Sequence, residues 1–299
     1  MKRGASFSDL YSQASTPFGT NFNPAANDPT TNRPLPPNFL RDFVGWGDIN
    51  LREPASSSNY HSLQVSLNRR FANQLQYGLS YTWSKSHDYN SDDGNTVSRL
   101  VPVRVWNYGL STFDVTHVLK VNWLYDLPRL SRGPAMLRAV LNDWQFSGIY
   151  SAASGLPLGL GFTTVTPVDI TGSPTDGARV VLTGNPVLPR GERNFYRWFN
   201  TSTTALPAVG TIGNAARTNI RGPGINNFDL VGLKNIRITE RFRAQLRGEF
   251  YNAFNHTQYS AVDTTSRFDG QGRQVNSQLG QITATRPGRR IQLAFRILF

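Results

Sequence analysis

Residues 289–299, RRIQLAFRILF, alternate apolar and mostly polar side chains at every second position. The apolar row is Ile291, Leu293, Phe295, Ile297 and Phe299, and the other row is Arg290, Gln292, Ala294, Arg296 and Leu298. Successive side chains of a strand point to opposite faces of a sheet, so this period predicts a strand with one apolar and one mostly polar face. Because chain termini usually fray, so regular an end predicts that it is docked or recognised.

The same alternation recurs in six earlier segments, which begin near residues 59, 75, 115, 144, 227 and 242. It is clearest in LQYGLSYTWSK (75–85), where every second residue is apolar or aromatic. In NFDLVGLKNIR (227–237) the phase is ambiguous, because Phe228 and Leu230 favour one face while Val231 and Leu233 favour the other. A β-bulge would reconcile the two rows. The sequence therefore predicts about seven strands.

The connections between these strands alternate in length. Residues 70–74, 127–140 and 238–241 are short or of middling length, whereas residues 85–112, 163–225 and 255–288 are long. Within the last of these, SQLGQITAT (277–285) is expected to extend the final strand. Long structureless loops are uncommon in soluble sandwiches, but outer-membrane barrels join their strands by short periplasmic turns and long extracellular loops.

The predicted fold is all-β: an antiparallel transmembrane β-barrel segment with about seven meandering strands of a larger barrel. Residues 1–58, rich in Pro, Asn, Ser and Thr, form an irregular, extracellular loop-like lead-in, and residues 59–299 carry the strands. With the long loops outside, the seventh strand runs towards the periplasm, where the barrel-assembly machinery can bind Phe299. The five apolar residues that end at Phe299 are thus predicted to form the assembly signal.

The two predicted faces suit lipid on one side and water on the other. The predicted aromatic girdle on the apolar face, of the kind found at membrane interfaces, consists of Tyr77, Tyr81, Trp83, Trp123, Tyr125 and Trp144. The predicted lumen-facing charges on the polar face are Arg243, Arg247, Glu249, Arg290 and Arg296. Such arginines either form a hydrated wall or guide an anionic substrate through the pore.

Composition excludes several classes of protein. The chain has no cysteine, which excludes a disulfide scaffold and thiolate metal sites. No stretch reaches the roughly 18 apolar residues of a membrane-spanning helix. The start, MKRGASFSDLYSQAS, has a basic pair but no apolar core, so we do not expect these residues to act as a secretory signal. The net charge of +12 is compatible with a nucleic-acid partner or an anionic surface.

Several longer runs resemble the C-terminal barrel of Oar-like TonB-dependent receptors. They include SNYHSLQVSLNRRF, YGLSYTWSKSHD, NDWQFSGIYSAASGLPL, RGPGINNFDLVGLKN, RAQLRGEFYNAFNHTQY and GRRIQLAFRILF, preceded by PLPPNFLRDFVGWGDINL. The resemblance covers nearly all of the chain from Pro34, and the combination of NAFNHTQY with the Phe-terminated strand is its most specific part. It implies an energy-coupled uptake receptor with an N-terminal plug and a barrel of roughly 22 strands.

The sequence also departs from that family. We expect neither a plug nor a TonB-contacting segment near its start, and seven strands form a sheet with two open edges. The expectation is therefore that this chain is about the last third of a receptor. The rest of the receptor, TonB, outer-membrane lipid and an unknown small-molecule or peptide substrate are the expected partners.

No motif predicts catalysis, a metal site or a cofactor. The four histidines are not at ligand spacing, and no Ser-His-Asp order or nucleophile elbow is present. HDYNSDDGN (87–95) begins like a calcium-binding EF-hand loop but has Asp93 and Arg99 where Gly and Glu are required, so it is predicted to be a solvated extracellular loop. GNAARTNIRGPG (213–224) lacks the strand-to-helix context of a phosphate site and is predicted to be a loop.

Three functions remain open. The first is a TonB-dependent uptake barrel, the second a passive or adhesive outer-membrane barrel, and the third a soluble basic β protein that binds nucleic acid. Nucleic-acid binding needs aromatic and basic residues on the same sheet face. In the last two strands they lie on opposite faces, so no nucleic-acid partner is expected, and the localisation predicted is the bacterial cell outer membrane.

Overall fold

A computed structural model of the protein describes residues 9–12, 16–40, 43–47, 49–53, 56–92, 96–98, 100–173 and 176–299. Seven long strands dominate the described residues. They are β1 (Ser58–Ala72), β2 (Leu75–Asp88), β3 (His117–Asp126), β4 (Trp144–Ala153), β5 (Ile225–Arg237), β6 (Arg243–Tyr251) and β7 (Arg290–Leu298). They form one meandering antiparallel sheet in which each strand pairs with the next along the chain. The predicted all-β antiparallel fold is confirmed.

The long and short connections lie at opposite ends of this sheet. Residues 89–116, 154–224 and 252–289 join strands at one end, and residues 73–74, 127–143 and 238–242 join them at the other. Asn73 and Gln74 both have positive φ angles, of 50° and 67°, as the two-residue turn of a tight hairpin requires. Phe299 therefore lies at the short-turn end.

Two details of the predicted strands are wrong. β5 pairs with β4 and β6 in unbroken register, so it contains no bulge. Its apolar residues lie on both faces: Phe228 and Leu230 on one, Val231 and Leu233 on the other. SQLGQITAT does not extend β7, since Ile282–Thr285 pairs instead with Tyr259–Val262 in a separate two-stranded sheet. A register irregularity does occur, in β1 between Arg69 and Ala72.

The long connections contain secondary structure of their own. Short strands pair as Pro157–Leu158 with Ile220–Arg221, Gly161–Thr164 with Thr265–Phe268, and Val181–Leu182 with Thr204–Ala205, while Gly109–Leu110 joins the end of β2. Asp9–Ser12 pairs with Asn50–Glu53 and Thr96–Val97. The helices are α1 (Val103–Trp106), α2 (Ala135–Leu141) and the 3-10 turns Thr20–Phe22, Pro24–Ala26, Pro37–Phe39, Arg190–Glu192 and Thr201–Thr203. No helix in the described residues is long and apolar enough to cross a membrane.

The lead-in packs against the longest connection. The backbone N–H of Gly19 donates to the carbonyl of Thr171 at 2.7 Å, and the N–H of Asn21 donates to Gly172 at 2.9 Å. The Asn21 side chain also donates to a carboxylate oxygen of Asp169 at 2.6 Å. Residues 16–27 are thus tied to the long-loop end of the sheet.

The sheet does not close. β1 and β7 form its two edges, and in the described part of the chain no strand pairs with the outer side of either. Each edge presents a row of unpaired backbone N–H and C=O groups.

Candidate functional site: a polar face beneath folded loops

The register places one continuous apolar row across all seven strands, which we call the apolar face. Leu67 of β1 pairs with Leu79, Leu79 with Val121, and Val121 with Tyr150. Tyr150 pairs with Phe228 of β5, and two residues further along the same face Leu230 pairs with Phe250, which pairs with Ile291. Paired residues share a face, so the five residues of the predicted assembly signal that lie in or next to β7 continue this row. Leu293, which belongs to this row, is 79% exposed.

All six predicted girdle residues lie on the apolar face. Tyr77, Trp123, Tyr125 and Trp144 lie towards the short-turn end, and Tyr81 and Trp83 lie towards the long-loop end. The Tyr81 hydroxyl is 2.8 Å from Nδ1 of His117, and the rings of Trp144 and Phe146 stack at 6.0 Å. The placement suits two aromatic belts, although the role of these residues as a girdle stays a prediction.

The opposite, polar face carries the predicted lumen residues. Arg243, Arg247 and Glu249 of β6 pair in register with polar-face positions of β7, where Arg290 and Arg296 lie. The guanidinium Nε of Arg247 is 2.6 Å from Oε1 of Glu249, and the hydroxyl of Tyr251 donates a hydrogen bond of 2.5 Å to Oε2 of the same carboxylate. Arg243, Arg290 and Arg296 are exposed. Whether they face a pore stays a prediction.

Two cavities open along the polar face. The larger, of about 810 Å³, lies beneath the long loops between β4 and β7, and its lining includes Asn227, Asp229, Tyr251, Gln258 and Arg286. The smaller, of about 420 Å³, extends towards β2 and shares Asp229 and Tyr251 with the first. Hydrogen-bonding side chains and apolar groups both line these cavities. No cluster of three potential metal ligands is found among the described residues.

Above the sheet, the connections 89–116, 154–224 and 252–289 fold into a single layer, which we call the loop layer. Its core contains Leu160, Val180, Phe199, Ala215, Ile220, Phe268 and Leu279, all drawn from the last two of these connections. Phe199 is only 1% exposed and lies among these side chains. The loop layer is therefore an ordered unit with its own apolar core, not a set of independent loops.

Buried ion pairs join the connection 154–224 to the end of β2 and to the connection 89–116. Arg217 pairs with the carboxylate of Asp88 at the end of β2, and Arg221 pairs with Asp114. Arg217 also donates to the carbonyl of Leu110 at 2.8 Å, and Arg221 to that of Gly155 at 3.0 Å. Asp88 is fully buried, so the expectation that this segment is a solvated loop is wrong for Asp88. Asp93–Asn95 and Arg99 lie outside the described residues.

A third arginine, Arg179, joins the connection 154–224 to the connection 89–116. The guanidinium of Arg179 lies 4.0 Å from the ring centroid of Trp106 and donates to the Trp106 carbonyl at 2.6 Å. Burial, with the neighbouring charge of Arg217, lowers the pKa of Arg179 to about 10. Arg179 therefore remains a cation at neutral pH and holds α1 against the connection 154–224.

Sequence reasoning missed these contacts. Arg217 and Arg221 lie in the GNAARTNIRGPG run, which the sequence indicated to be a plain loop, and their partners are 129 and 107 residues away. No local spacing links residues so far apart. The only signal was the unusual number of arginines in that run.

An antiparallel sheet with one apolar and one polar face, long loops at one end and short turns at the other, defines an outer-membrane β-barrel fold. A profile of the family described as the outer membrane beta barrel domain matches residues 12–292. The chain belongs to this family, and its location is the bacterial outer membrane. Comparisons with curated proteins and with solved structures gave no match.

Proposed function

We propose that the chain forms the C-terminal strands of an Oar-like TonB-dependent receptor, which takes up its substrate with energy from the inner membrane. The observation that carries this proposal is the pair of open edges on β1 and β7. Unpaired backbone groups in lipid cost several kcal/mol each, so a membrane sheet must continue into further strands. The resemblance of the sequence to Oar-like barrels supports a receptor as the source of those strands.

The polar face supports transport and not catalysis as its role. The larger cavity lies below the loop layer, where a solute captured outside would enter, and hydrogen-bonding side chains form part of the lining of both cavities. Substrate capture would fall to the loop layer together with a plug. The remaining partners of this proposal are TonB, the barrel-assembly machinery at the β7 end, and a small-molecule or peptide substrate.

The first test is an immunoblot of isolated outer membranes with an antibody against residues 163–225. A band far above the 33.3 kDa of this chain supports the larger barrel. A heat-modifiable band at that mass means that the short chain inserts by itself, as an oligomer that pairs its edges, and rejects the receptor proposal.

The second test separates energy-coupled uptake from passive diffusion or adhesion. Uptake of an anionic probe by cells that produce the receptor should fall when the inner-membrane energy complex is deleted. The double variant Arg243→Gln/Arg247→Gln should also lower uptake, whereas Arg241→Gln, an exposed arginine of the turn 238–242, should leave it unchanged. Uptake that does not depend on the energy complex supports a passive barrel instead.

A further inference from the structure

The connection between β3 and β4, residues 127–143, is the longest at the short-turn end and contains α2. Local hydrogen bonds fix its shape. The backbone N–H of Leu130 donates to Oδ1 of Asn142 at 2.7 Å, and the Asn142 amide returns a bond to the Leu130 carbonyl at 3.1 Å. The indole N–H of Trp144 donates to the carbonyl of Val140 at 2.8 Å. We call residues 127–143 the α2 segment.

Lys234 shows on which side of the sheet this segment lies. Its position on β5 is paired with Trp144 and Leu246, so its side chain belongs to the apolar face. It is nevertheless only 5% exposed, because its Nζ donates to the carbonyl of Ala139 at 2.8 Å and to that of Asn142. The amine also lies 5.6 Å from the Trp144 ring. The end of α2 thus covers a cation on the apolar face, which places the α2 segment on that face.

The outward side of α2 is apolar and uncovered. Met136, Leu137, Val140 and Leu141 lie within an arc of about 140° around the helix axis. All four are exposed, and Met136 is 82% exposed. Arg138 projects from the opposite side of the helix, and Arg132 precedes it. Neither arginine forms an ion pair with any residue that the structure describes, whereas Arg129 pairs with Asp143 at 2.6 Å.

We propose that the α2 segment lies in the periplasmic leaflet of the outer membrane and binds anionic phospholipid. The apolar stripe of α2 continues the lipid-facing surface of the sheet, and it sits at the short-turn end, which is periplasmic in this family. An amphipathic helix lies in the interface when its apolar side enters the acyl chains and its basic residues meet phosphates. Arg132 and Arg138 are the phosphate ligands. This inference does not depend on whether the barrel transports anything.

The depth of α2 can be measured by spin labelling, because the chain has no cysteine to interfere. The single variants Met136→Cys, Glu240→Cys and Leu293→Cys are labelled with a nitroxide in isolated outer membranes, with the cysteine-free parent as background. The label at position 136 should be more accessible to oxygen than to a water-soluble nickel complex. Its accessibility to the nickel complex should lie between that of the label at 293, in the lipid, and that of the label at 240, in the periplasmic turn. Water accessibility at 136 equal to that at 240 would overturn the proposal.

Lipid choice is tested on the full-length protein extracted in mild detergent. Native mass spectrometry after addition of phosphatidylglycerol or phosphatidylcholine should show preferential retention of phosphatidylglycerol. Arg132→Gln/Arg138→Gln should weaken that retention by roughly 5-fold for each arginine removed. The control Arg190→Gln/Arg197→Gln makes the same charge change in the loop layer and should have no effect. Equal retention of the two lipids, or full retention by the Arg132/Arg138 variant, would show that the arginines do not bind anionic lipid.

Discussion

In the sheet, Leu293 is 79% exposed on a face made of apolar side chains, whereas in the loop layer Phe199 is 1% exposed within an apolar core. The two regions belong to one chain and contain similar side chains. They differ in what surrounds them, since lipid solvates the apolar face and water surrounds the loop layer. The loop layer must therefore bury its apolar groups internally, while the sheet has no need to do so.

The largest difference between the regions should appear on truncation of a buried ring. Phe199→Ala removes a fully packed side chain from the loop core and should destabilise the loop layer by about 3–5 kcal/mol. Leu293→Ala, on the apolar face, should cost far less because no packed neighbours enclose it. Protease digestion of intact cells should cleave the outer loops of the Phe199 variant first. Equal digestion of the two variants would mean that the loop layer has no cooperative core.

Arginine substitutions at two neighbouring residues of β7 compare the apolar and polar faces at nearly the same depth in the membrane. Leu293→Arg places a cation in lipid and should destabilise the membrane-inserted barrel by about 2–4 kcal/mol. Ala294→Arg, one residue further on the polar face, lies opposite Arg247 but remains hydrated, so it should cost less than about 1 kcal/mol. Urea unfolding of the reconstituted full-length protein measures both. If Ala294→Arg proves the more harmful, the assignment of the faces is wrong.

A buried ion pair tests how two connections of the loop layer, 89–116 and 154–224, are held together. Asp114→Asn leaves the partly buried Arg221 without its counter-charge and should destabilise the loop layer by about 2–3 kcal/mol. Glu240→Gln removes the partner of Arg237 in an exposed pair, 3.9 Å apart, and should change stability by less than about 0.5 kcal/mol. Hydrogen exchange in residues 100–116 and 213–224 should quicken only in the Asp114 variant.

Substitution of alanine for two glycines, one in the loop layer and one in the sheet, should give the smallest difference in stability between the two regions. A Cβ on Gly155 would lie 1.8 Å from the backbone oxygen of Gly222, whereas a Cβ on Gly148 would meet the Trp123 ring at 2.4 Å. Backbone in the loop layer cannot yield, but a ring at the lipid surface can shift. Gly155→Ala should therefore cost about 1–3 kcal/mol and Gly148→Ala less. Thermal unfolding of the two variants checks the order, and a greater loss for Gly148→Ala would show that the aromatic belt is rigidly packed.

The sheet could be predicted from the sequence because its information is local. The side chains of each strand alternate between an apolar and a polar face at period two, and contact with lipid on one side favours apolar residues on that face. All seven strands could therefore be predicted. The ambiguity in β5 has a physical reason. Val231 and Leu233 lie on the polar face and Lys234 lies on the apolar face. Lys234 can lie there because carbonyl groups of the α2 segment accept hydrogen bonds from its amine.

The loop layer could not be predicted in the same way. Its contacts join residues far apart in the chain, such as Phe162 with Phe268 and Arg221 with Asp114. Short strands of two to four residues carry too little periodicity to reveal their partners. The cavities also arise only when β4, β5 and β6 are placed side by side, so Asp229 and Tyr251 carried no signal in the sequence.

The six antiparallel pairings of the sheet fix the directions of its edges. Each pairing reverses the chain, so β1 and β7 run the same way, from the long-loop end to the short-turn end. Direct contact between these two edges would be a parallel seam. A ring that is antiparallel throughout therefore requires an odd number of additional strands between β7 and β1. Any partner, whether from the same polypeptide or another, must satisfy this parity, and its edge strands must run opposite to β1 and β7. A second copy of the sheet in the same orientation does not, because its own edge strands also run from the long-loop end to the short-turn end.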